Sequence, residues 1–431
     1  MKHYKIVTYG CQMNVHDSEK LAGMLEDLGY IATENEKEAD VIVFNTCAIR
    51  QGAEDRAIGN IGNLKGLKKQ NPDLIVAVCG CMTQQEERAT ELKKTFPFVN
   101  IIFGTHNLYK FKEYLIQYQN NKKRVLELFN ESDGNEESAN MYRTSGENAY
   151  INIMYGCNNF CSYCIVPYVR GREKSRNHND VINECKKCIE NGYKFITLLG
   201  QNVNSYNDGE YNFAMLLKAI CQLDGEFRLK FMTSHPKDLT DEVIDVISSE
   251  KKLCKTIHLP VQSGSNSVLK AMNRKYTREH YLDLVKRIRA KIDGDISTDI
   301  IVGFPGETEQ DFQDTLDLIK EVGFVQLFGY MYSRRSKTLA DTFTNHIDYD
   351  VKNERVNKLL SMQKELLQEV EKKMIGRTFV AFATETNSGK TTMELDNFKN
   401  VEIQGEYEVK KFYNVKIIDF KDNKLYGIVI D

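Results

Sequence analysis

Three cysteines, Cys157, Cys161 and Cys164, stand together in YGCNNFCSYCIVPY, directly after a run that reads as a strand. Three thiolates on one loop can converge on one metal centre, and thiolates suit iron–sulfur clusters or zinc. A zinc site commonly closes with a fourth Cys or His at similar spacing. None follows at once here: the next ligand types are His178, beyond an extended basic stretch, and Cys185. A set of three therefore favours a four-iron cluster with one iron left open. The competing reading is three core thiols on a glycine-containing loop.

A second set is spread through the N-terminal part. Cys11 follows KIVTYG, Cys47 follows VIVFNT and Cys81 follows LIVAVCG, each just past an apolar run rich in Val and Ile. Parallel strands lie ~4.8 Å apart, so neighbouring strand ends would make these distant thiols spatial neighbours. Spacing does not choose between Cys79 and Cys81, which both occur in VCGCM, and unrelated buried cysteines are the alternative. The other four are plainer. Cys185 and Cys188 share one face inside a helical pattern instead of sitting at a helix N-terminus, where a redox pair gains thiolate character. Cys221 and Cys254 are isolated and read as core.

Arg170, Arg172, Lys174 and Arg176 alternate in YVRGREKSR; an extended segment would put them on one side, a row suited to phosphates. Arg334 and Arg335, with Lys337, form a second basic spot in YSRRSKTLA. Gly303 in DIIVGFPGET allows close backbone approach to a ligand, a plain turn with Pro305 and Gly306 being the other reading. GQNVNSY and LPVQSGS supply Gln201, Asn202, Gln262 and Ser263 at strand ends, where polar groups can line a pocket. His235 and His258 read as core or capping histidines.

These residues need elements that bring them together. Apolar runs at 4–9, 40–45 and 74–78, separated by helical patterns such as DSEKLAGMLEDLGY, predict an α/β domain over residues 1–130 built on a doubly wound parallel sheet. Residues 131–148 are polar, contain glycine and lack periodicity, as a linker does. From 149 to 374 six strand patterns alternate with amphipathic helices, among them 178–191, 240–249, 277–291 and 308–321, and a helix at 351–374 follows. This predicts a central partial TIM-like (α/β)6 barrel, with a larger open sheet as the rival; in both, chemistry sits at the C-terminal strand ends. Residues 375–431 carry the short strand patterns of a small β-barrel.

A chain of 431 residues with 41% hydrophobic and 28% charged residues is globular, with several domains. Its 58 basic and 61 acidic residues sum to −3, which excludes a polycation that coats nucleic acid or membrane, so any basic site must be local. The start lacks the apolar core of a signal peptide, and no run of ~18 apolar residues occurs. A cytoplasmic chain with no membrane partner is expected, in which the eleven cysteines stay reduced.

CNNFCSYC resembles the motif of the radical S-adenosylmethionine (SAM) superfamily, with the aromatic Tyr163 before the third cysteine. YGCQMNVHDSE, FNTCAIRQGAED and CGCMTQ are similar to the N-terminal domain of the methylthiotransferases, a radical SAM family. Within it, CSYCIVPYVRGREKSR, LLGQNVNSY, FMTSHPKDL, HLPVQSGS and DIIVGFPGET most resemble the MiaB type, and the match runs from residue 4 to about 370.

The resemblance implies SAM and two 4Fe–4S clusters. Cys157, Cys161 and Cys164 would hold the cluster whose open iron chelates SAM; Cys11, Cys47 and Cys81 would hold an auxiliary, sulfur-donating one, with Cys79 its neighbour. Tyr163, Gln201, Gln262 and Gly303 become candidate SAM contacts, and Arg170, Arg172, Lys174, Arg176, Arg334 and Arg335 candidate RNA contacts. The implied reaction is radical methylthiolation of C2 of N6-isopentenyladenosine beside the tRNA anticodon. Its partners would be the tRNA anticodon loop and an electron donor such as flavodoxin or ferredoxin. Rival readings are the same chemistry on threonylcarbamoyladenosine or a ribosomal-protein aspartate, and a non-enzymatic metal- or RNA-binding module. The C-terminal module resembles a TRAM domain, although eight basic against nine acidic residues between Gly376 and Asp431 suit RNA binding poorly. YSRRSKTLA also departs from the family's usual YSxRxGTxA.

Overall fold

The computed structural model describes residues 1–131, 141–143 and 146–430. Among them, the N-terminal part forms strands β1 (Lys2–Thr8), β2 (Tyr30–Ala32), β3 (Val41–Thr46), β4 (Ile75–Gly80), β5 (Ile101–Phe103) and β6 (Val125–Glu127), with helices α1 (Gln12–Glu26), α2 (Gln51–Gln70), α3 (Glu86–Thr95) and α4 (Phe111–Asn121). The strands make one parallel sheet in the order β2-β1-β3-β4-β5-β6. VIVFNT of β3 and IVAVCG of β4 are buried at every residue, because helices cover both faces of the sheet. One apolar layer packs α1 and α4 on the sheet and another packs α2 and α3. The winding reverses between β1 and β3, and such a switch point opens a crevice at the C-terminal strand ends. Cys11 and Cys47 follow those two strands.

Of the linker expected over 131–148, residues 132–140 and 144–145 lie outside the described residues. The central region then runs through β7 (Asn148–Asn152), β8 (Met154–Tyr155), β9 (Lys174–Ser175), β10 (Phe195–Leu199), β11 (Arg228–Phe231), β12 (Ile257–His258), β13 (Ile296–Val302) and β14 (Gln326–Met331). Among the described residues β7, β10 and β11 form one parallel sheet and β12, β13 and β14 another, with Leu229 pairing Leu253 at the seam. The partial barrel is therefore open and split into two arcs in chain order. β8 and β9 pair antiparallel across its C-terminal end.

The helices here are α5 (Val166–Val169), α6 (His178–Glu190), α7 (Phe213–Cys221), α8 (Asp241–Ser249), α9 (Asn266–Ala271), α10 (Arg278–Lys291), α11 (Glu309–Val322) and α12 (Tyr349–Lys372). Side chains of Asn177, Asn212, Thr240, Thr277 and Thr308 accept N–H groups of the first turns of α6, α7, α8, α10 and α11, so each helix starts where a cap relieves its free donors.

β15 (Thr378–Asn387), β16 (Lys390–Leu395), β17 (Asn400–Gln404), β18 (Phe412–Lys421) and β19 (Lys424–Ile430) close into a barrel. This barrel docks on the N-terminal ends of the central strands. Phe195 packs edge-on to Phe382 and Phe412, Arg228 pairs with Asp396, and Asp295 with Arg377. The barrel thus occupies the pole opposite the cysteine loops. Among the described residues no helix is long and apolar enough to cross a membrane.

Gly80 ends β4 with φ +104°, and a Cβ there would stand 2.3 Å from the Thr46 carbonyl oxygen, whereas Gly29 (φ +79°) has open space around it. Gly29→Ala should cost about 1 kcal/mol for backbone strain alone, and Gly80→Ala clearly more, within the ~1–3 kcal/mol typical of strained sites or above it. Urea unfolding of both variants checks this; equal losses would contradict the packing of the loop after β4 on β3.

Candidate metal centres

The N-terminal thiols meet at the crevice of the parallel sheet. Cys11 is the N-cap residue of α1 in extended backbone. Gly10 has φ +110°, and a Cβ there would lie 2.7 Å from Cys47 Cβ, so glycine is what lets the loop after β1 rest on Cys47. The Asn14 amide, within the first turn of α1, donates to the Tyr9 carbonyl (2.7 Å) and the Thr46 carbonyl (3.0 Å). The Cys81 N–H donates to the Thr46 carbonyl (2.9 Å). These bonds lace together the loops after β1, β3 and β4. Burial raises the Cys47 thiol pKa, and Ile49 N–H donating to its sulfur (3.3 Å) works against that. Burial pushes the Cys81 thiol up to about 12, with Arg170 opposing and Cys47 and Cys11 adding. Cys79, by contrast, lies within β4 and packs in the apolar layer with Leu21, Leu25 and Phe103.

The central thiols follow β8. Gly156 (φ +65°) tolerates no side chain, since a Cβ would overlap the Arg172 carbonyl at 2.0 Å, and the Cys157 N–H donates to the Gly171 carbonyl (3.2 Å). Ser162 pins the loop on α9: its N–H donates to the Met272 carbonyl (3.0 Å) and its hydroxyl to the Ala271 carbonyl (2.7 Å). Burial raises the Cys157 thiol and pushes Cys164 up to about 12, where Cys161 and Cys157 add to it. Cys81 packs against Ala48, Ile165 and Val169, so the loop that follows Cys164 lies directly on a cysteine of the other set.

Each set carries one buried arginine. Arg170 Nε donates to Cys81 Sγ (3.2 Å) and Nη2 to Asn14 Oδ1 (2.8 Å), while Nη2 also pairs with Asp17 Oδ2 (2.7 Å). Arg274 Nη1 donates to Cys161 Sγ (3.5 Å), Nε to the Tyr276 hydroxyl (2.8 Å) and Nη2 to the Pro260 carbonyl (2.7 Å). All eleven cysteines are free. Among the described residues no three Cys, His, Asp or Glu side chains are grouped tightly enough for a single ion; a four-iron cluster takes one thiolate per iron. Two sets of three free thiols, each with a cation on one sulfur, fit anionic iron–sulfur clusters by donor chemistry and by charge.

The expected SAM contacts divide. Gln201 Oε1, Asn202 Oδ1 and Ser234 Oγ, past the ends of β10 and β11, are buried with no protein partner among the described residues, which fits a polar ligand there. Tyr163 is held near Arg274 and Tyr276, and burial lifts its phenol pKa well above the usual range. Gln262 sits in left-handed backbone (φ +72°), its N–H donating to the Asp299 carbonyl (2.9 Å). At Gly303 a Cβ would stand 2.1 Å from Lys352 Cγ, and its N–H donates to Glu307 Oε1 (2.9 Å). The room this glycine leaves is filled by α12. Burial, with Arg274 and Lys237, takes His235 down to about 2, so it is a neutral imidazole.

The basic row divides as well. Arg170 is buried as described. Arg176 pairs with Glu184 (2.9 Å) and donates to the Asn152 carbonyl. Arg335 reaches Gln51 Oε1 (2.8 Å) and Glu54 Oε2 (3.2 Å). These three turn inward because each meets a carboxylate, Asp17, Glu184 or Glu54, that compensates a guanidinium taken out of water. Arg172 and Lys174 remain exposed, Arg172 lying over the Phe160 ring at 4.4 Å, and Arg334 sits on the surface with Asp341 (2.8 Å). Asn14, Asp17 and Arg274 were not singled out by sequence. Asn14 and Asp17 carry a signal, their helical spacing from Cys11; Arg274 carries none.

Residues 151–319 match the Radical SAM superfamily, and residues 3–104 match Uncharacterized protein family UPF0004. The tRNA-2-methylthio-N(6)-dimethylallyladenosine synthase of Clostridium botulinum (strain Eklund 17B / Type B) is 50% identical over 438 residues, covering 100% of this chain and 96% of that protein. The protein of the same name from Caldicellulosiruptor saccharolyticus is 48% identical over 438 residues, covering 100% and 93%. Among solved structures, the radical S-adenosylmethionine methyltransferase TsrM from Kitasatospora setae, with cobalamin and a 4Fe–4S cluster bound, superposes with TM-score 0.57 at 15% identity over 79% of this chain and 77% of that one. At that identity the likeness is one of fold.

Arg335 and Glu54 are both buried, and Arg88 (3.1 Å) is the other cation on Glu54. Because Arg88 still faces Glu54, Arg335→Ala should lower stability by less than the roughly 3–5 kcal/mol of a buried charge left with no partner, as read by urea unfolding. An unchanged unfolding midpoint with weakened RNA binding would instead make Arg335 an RNA contact.

Proposed function

We propose a mechanism from the premise that this chain belongs to the family of the tRNA-2-methylthio-N(6)-dimethylallyladenosine synthases, the radical SAM methylthiotransferases of tRNA. Its reaction is the transfer of sulfur and a methyl group to C2 of N6-isopentenyladenosine in tRNA. The observation that carries the reading is the contact of two three-thiol loops at the C-terminal strand ends, with Cys81 packed on the segment that follows Cys164.

Cys157, Cys161 and Cys164 would hold the SAM-binding 4Fe–4S cluster, and Cys11, Cys47 and Cys81 the auxiliary one. When bound, the first would supply the electron for reductive cleavage of SAM and the second the sulfur. The chain's own part is placement. Arg170 and Arg274 offset negative charge where little water reaches. Gln201, Asn202 and Ser234 present hydrogen-bonding atoms for the polar groups of SAM past β10 and β11, and Gln262 and Tyr163 stand on the side of β13 and the residues that follow it. Ala48, Ile165 and Val169 keep water from the gap between the loops, which protects a reactive radical.

The anticodon loop offers unstacked bases and phosphates. Arg172, Lys174 and Arg334 supply exposed cations for the phosphates, and Phe160 and the exposed Tyr168, packed edge to face at 6.4 Å, supply rings for a base. An electron donor such as flavodoxin or ferredoxin would reduce the SAM cluster, and the cytoplasm is the compartment that holds both partners. Residues 1–130 form the auxiliary-cluster domain, 149–374 the radical SAM domain and 375–431 the TRAM-like barrel in this reading.

Deleting the gene should remove methylthio-isopentenyladenosine from tRNA, measured by nucleoside mass spectrometry, and leave isopentenyladenosine; unchanged methylthio nucleoside would reject this substrate. Reintroduced Cys157→Ala should abolish SAM cleavage, whereas Cys47→Ala should retain some cleavage and form no methylthiolated product. Full product from Cys47→Ala would remove the auxiliary centre from the mechanism.

A further inference from the structure

Resting on the two-cluster reading above, we propose that Arg170 is a positioning residue that fixes the auxiliary centre against the SAM centre and sets the reduction potential of the auxiliary one. Two consecutive residues make the tether. The Arg170 side chain donates to Cys81 Sγ (3.2 Å), and the next carbonyl, that of Gly171, accepts the Cys157 N–H (3.2 Å). A ligand of one centre is thereby joined to a ligand of the other through a single stretch of backbone. That stretch is itself held: the Arg170 N–H closes α5 on the Val166 carbonyl (2.8 Å), and the Thr105 hydroxyl donates to the Val169 carbonyl. Gly171, at φ +78°, lies against His106, whose Cε1 an added Cβ would meet at 3.2 Å.

The guanidinium uses its fork in a way lysine cannot match. Nε serves the sulfur, while Nη2 serves Asn14 Oδ1 (2.8 Å) and Asp17 Oδ2 (2.7 Å), on the first and second turns of α1 after Cys11. A cation and an N–H donor at a ligand sulfur stabilise the electron-rich, reduced state of a cluster, and they do so strongly where water is excluded. Asp17 works in the opposite sense. Lys20 and His106 line the same small cleft as Asp17 and Arg170; burial and Arg170 take His106 down to about 4, so it adds no charge at neutral pH. Arg274, on Cys161, has no carboxylate partner among the described residues, which gives the SAM centre an independent counterpart.

The full chain, reconstituted anaerobically with iron and sulfide, is titrated under EPR detection. Arg170→Gln should lower the midpoint potential of the auxiliary cluster, and Asp17→Asn should raise it, with the SAM-cluster potential at its wild-type value in both. Arg274→Gln should lower the SAM-cluster potential alone. Arg170→Lys should bring the auxiliary potential back toward wild type while product per SAM cleaved stays low, which separates the charge from the fork. Both clusters present with unmoved potentials in Arg170→Gln would overturn the proposal. If that variant fails to take up its auxiliary cluster, Asp17→Asn decides, and an unmoved or lowered potential overturns it. A wild-type chain that holds one cluster would fail the two-cluster reading, a separate outcome.

Discussion

A guanidinium almost stripped of water lies between the two cysteine loops, and the structure around it is arranged so that it stays charged. Desolvation alone would favour a neutral group at Arg170, but Asp17, Asn14 and the Cys81 sulfur supply what water no longer does. A buried ion pair of this kind contributes little net stability, because the Coulomb gain roughly repays desolvation; what it does is make one geometry far better than its neighbours. Arg170 can meet α1, Cys81 and its own segment together only when the N-terminal sheet sits in one orientation on the central barrel.

Other contacts obey the same demand. Arg335 carries it from the end of β14 to Glu54 on α2, and Lys20 on α1 reaches the Tyr155 hydroxyl (3.0 Å) on β8. Arg170 and Arg335 lie beyond the C-terminal ends of β7 and β14, where both sheet types leave room for a site. The closing barrel sits at the far pole, attached through Arg228, Asp295 and Phe195. Two of its acidic residues, Glu394 and Asp396, are taken up by pairs with Lys230 and Arg228. Its near-neutral composition is partly that of a docking surface.

Much of this was legible in the residues. Val- and Ile-rich runs of strand length followed by cysteine mark strand ends, and those strands and the long amphipathic helices stand where the pattern placed them. Cys79 and Cys81, two residues apart, share the parity of one strand face, so only the end of β4 at Gly80 separates them: Cys79 packs in a helix-covered layer and Cys81 lies beyond the strand. What failed was inference about what covers a side chain. Alternation in YVRGREKSR says nothing of the carboxylates Asp17 and Glu184 that arrive from other elements, so Arg170 and Arg176 read as surface residues. Gly303 carries the mark of close approach, but what approaches is Lys352 from a helix far along the chain. Arg274 reaches Cys161 across a long separation, and no local spacing announces it.

The claim on which the account stands is that two separate three-thiol sets each hold a four-iron cluster. Iron content and Mössbauer spectra of the anaerobically reconstituted chain test it most directly, read beside two triple variants, one with Cys11, Cys47 and Cys81 replaced by alanine and one with Cys157, Cys161 and Cys164 replaced. Two four-iron clusters are expected in the unaltered chain and one in each triple variant. A triple variant that keeps both clusters, or an unaltered chain that takes up one cluster or only zinc, would contradict it.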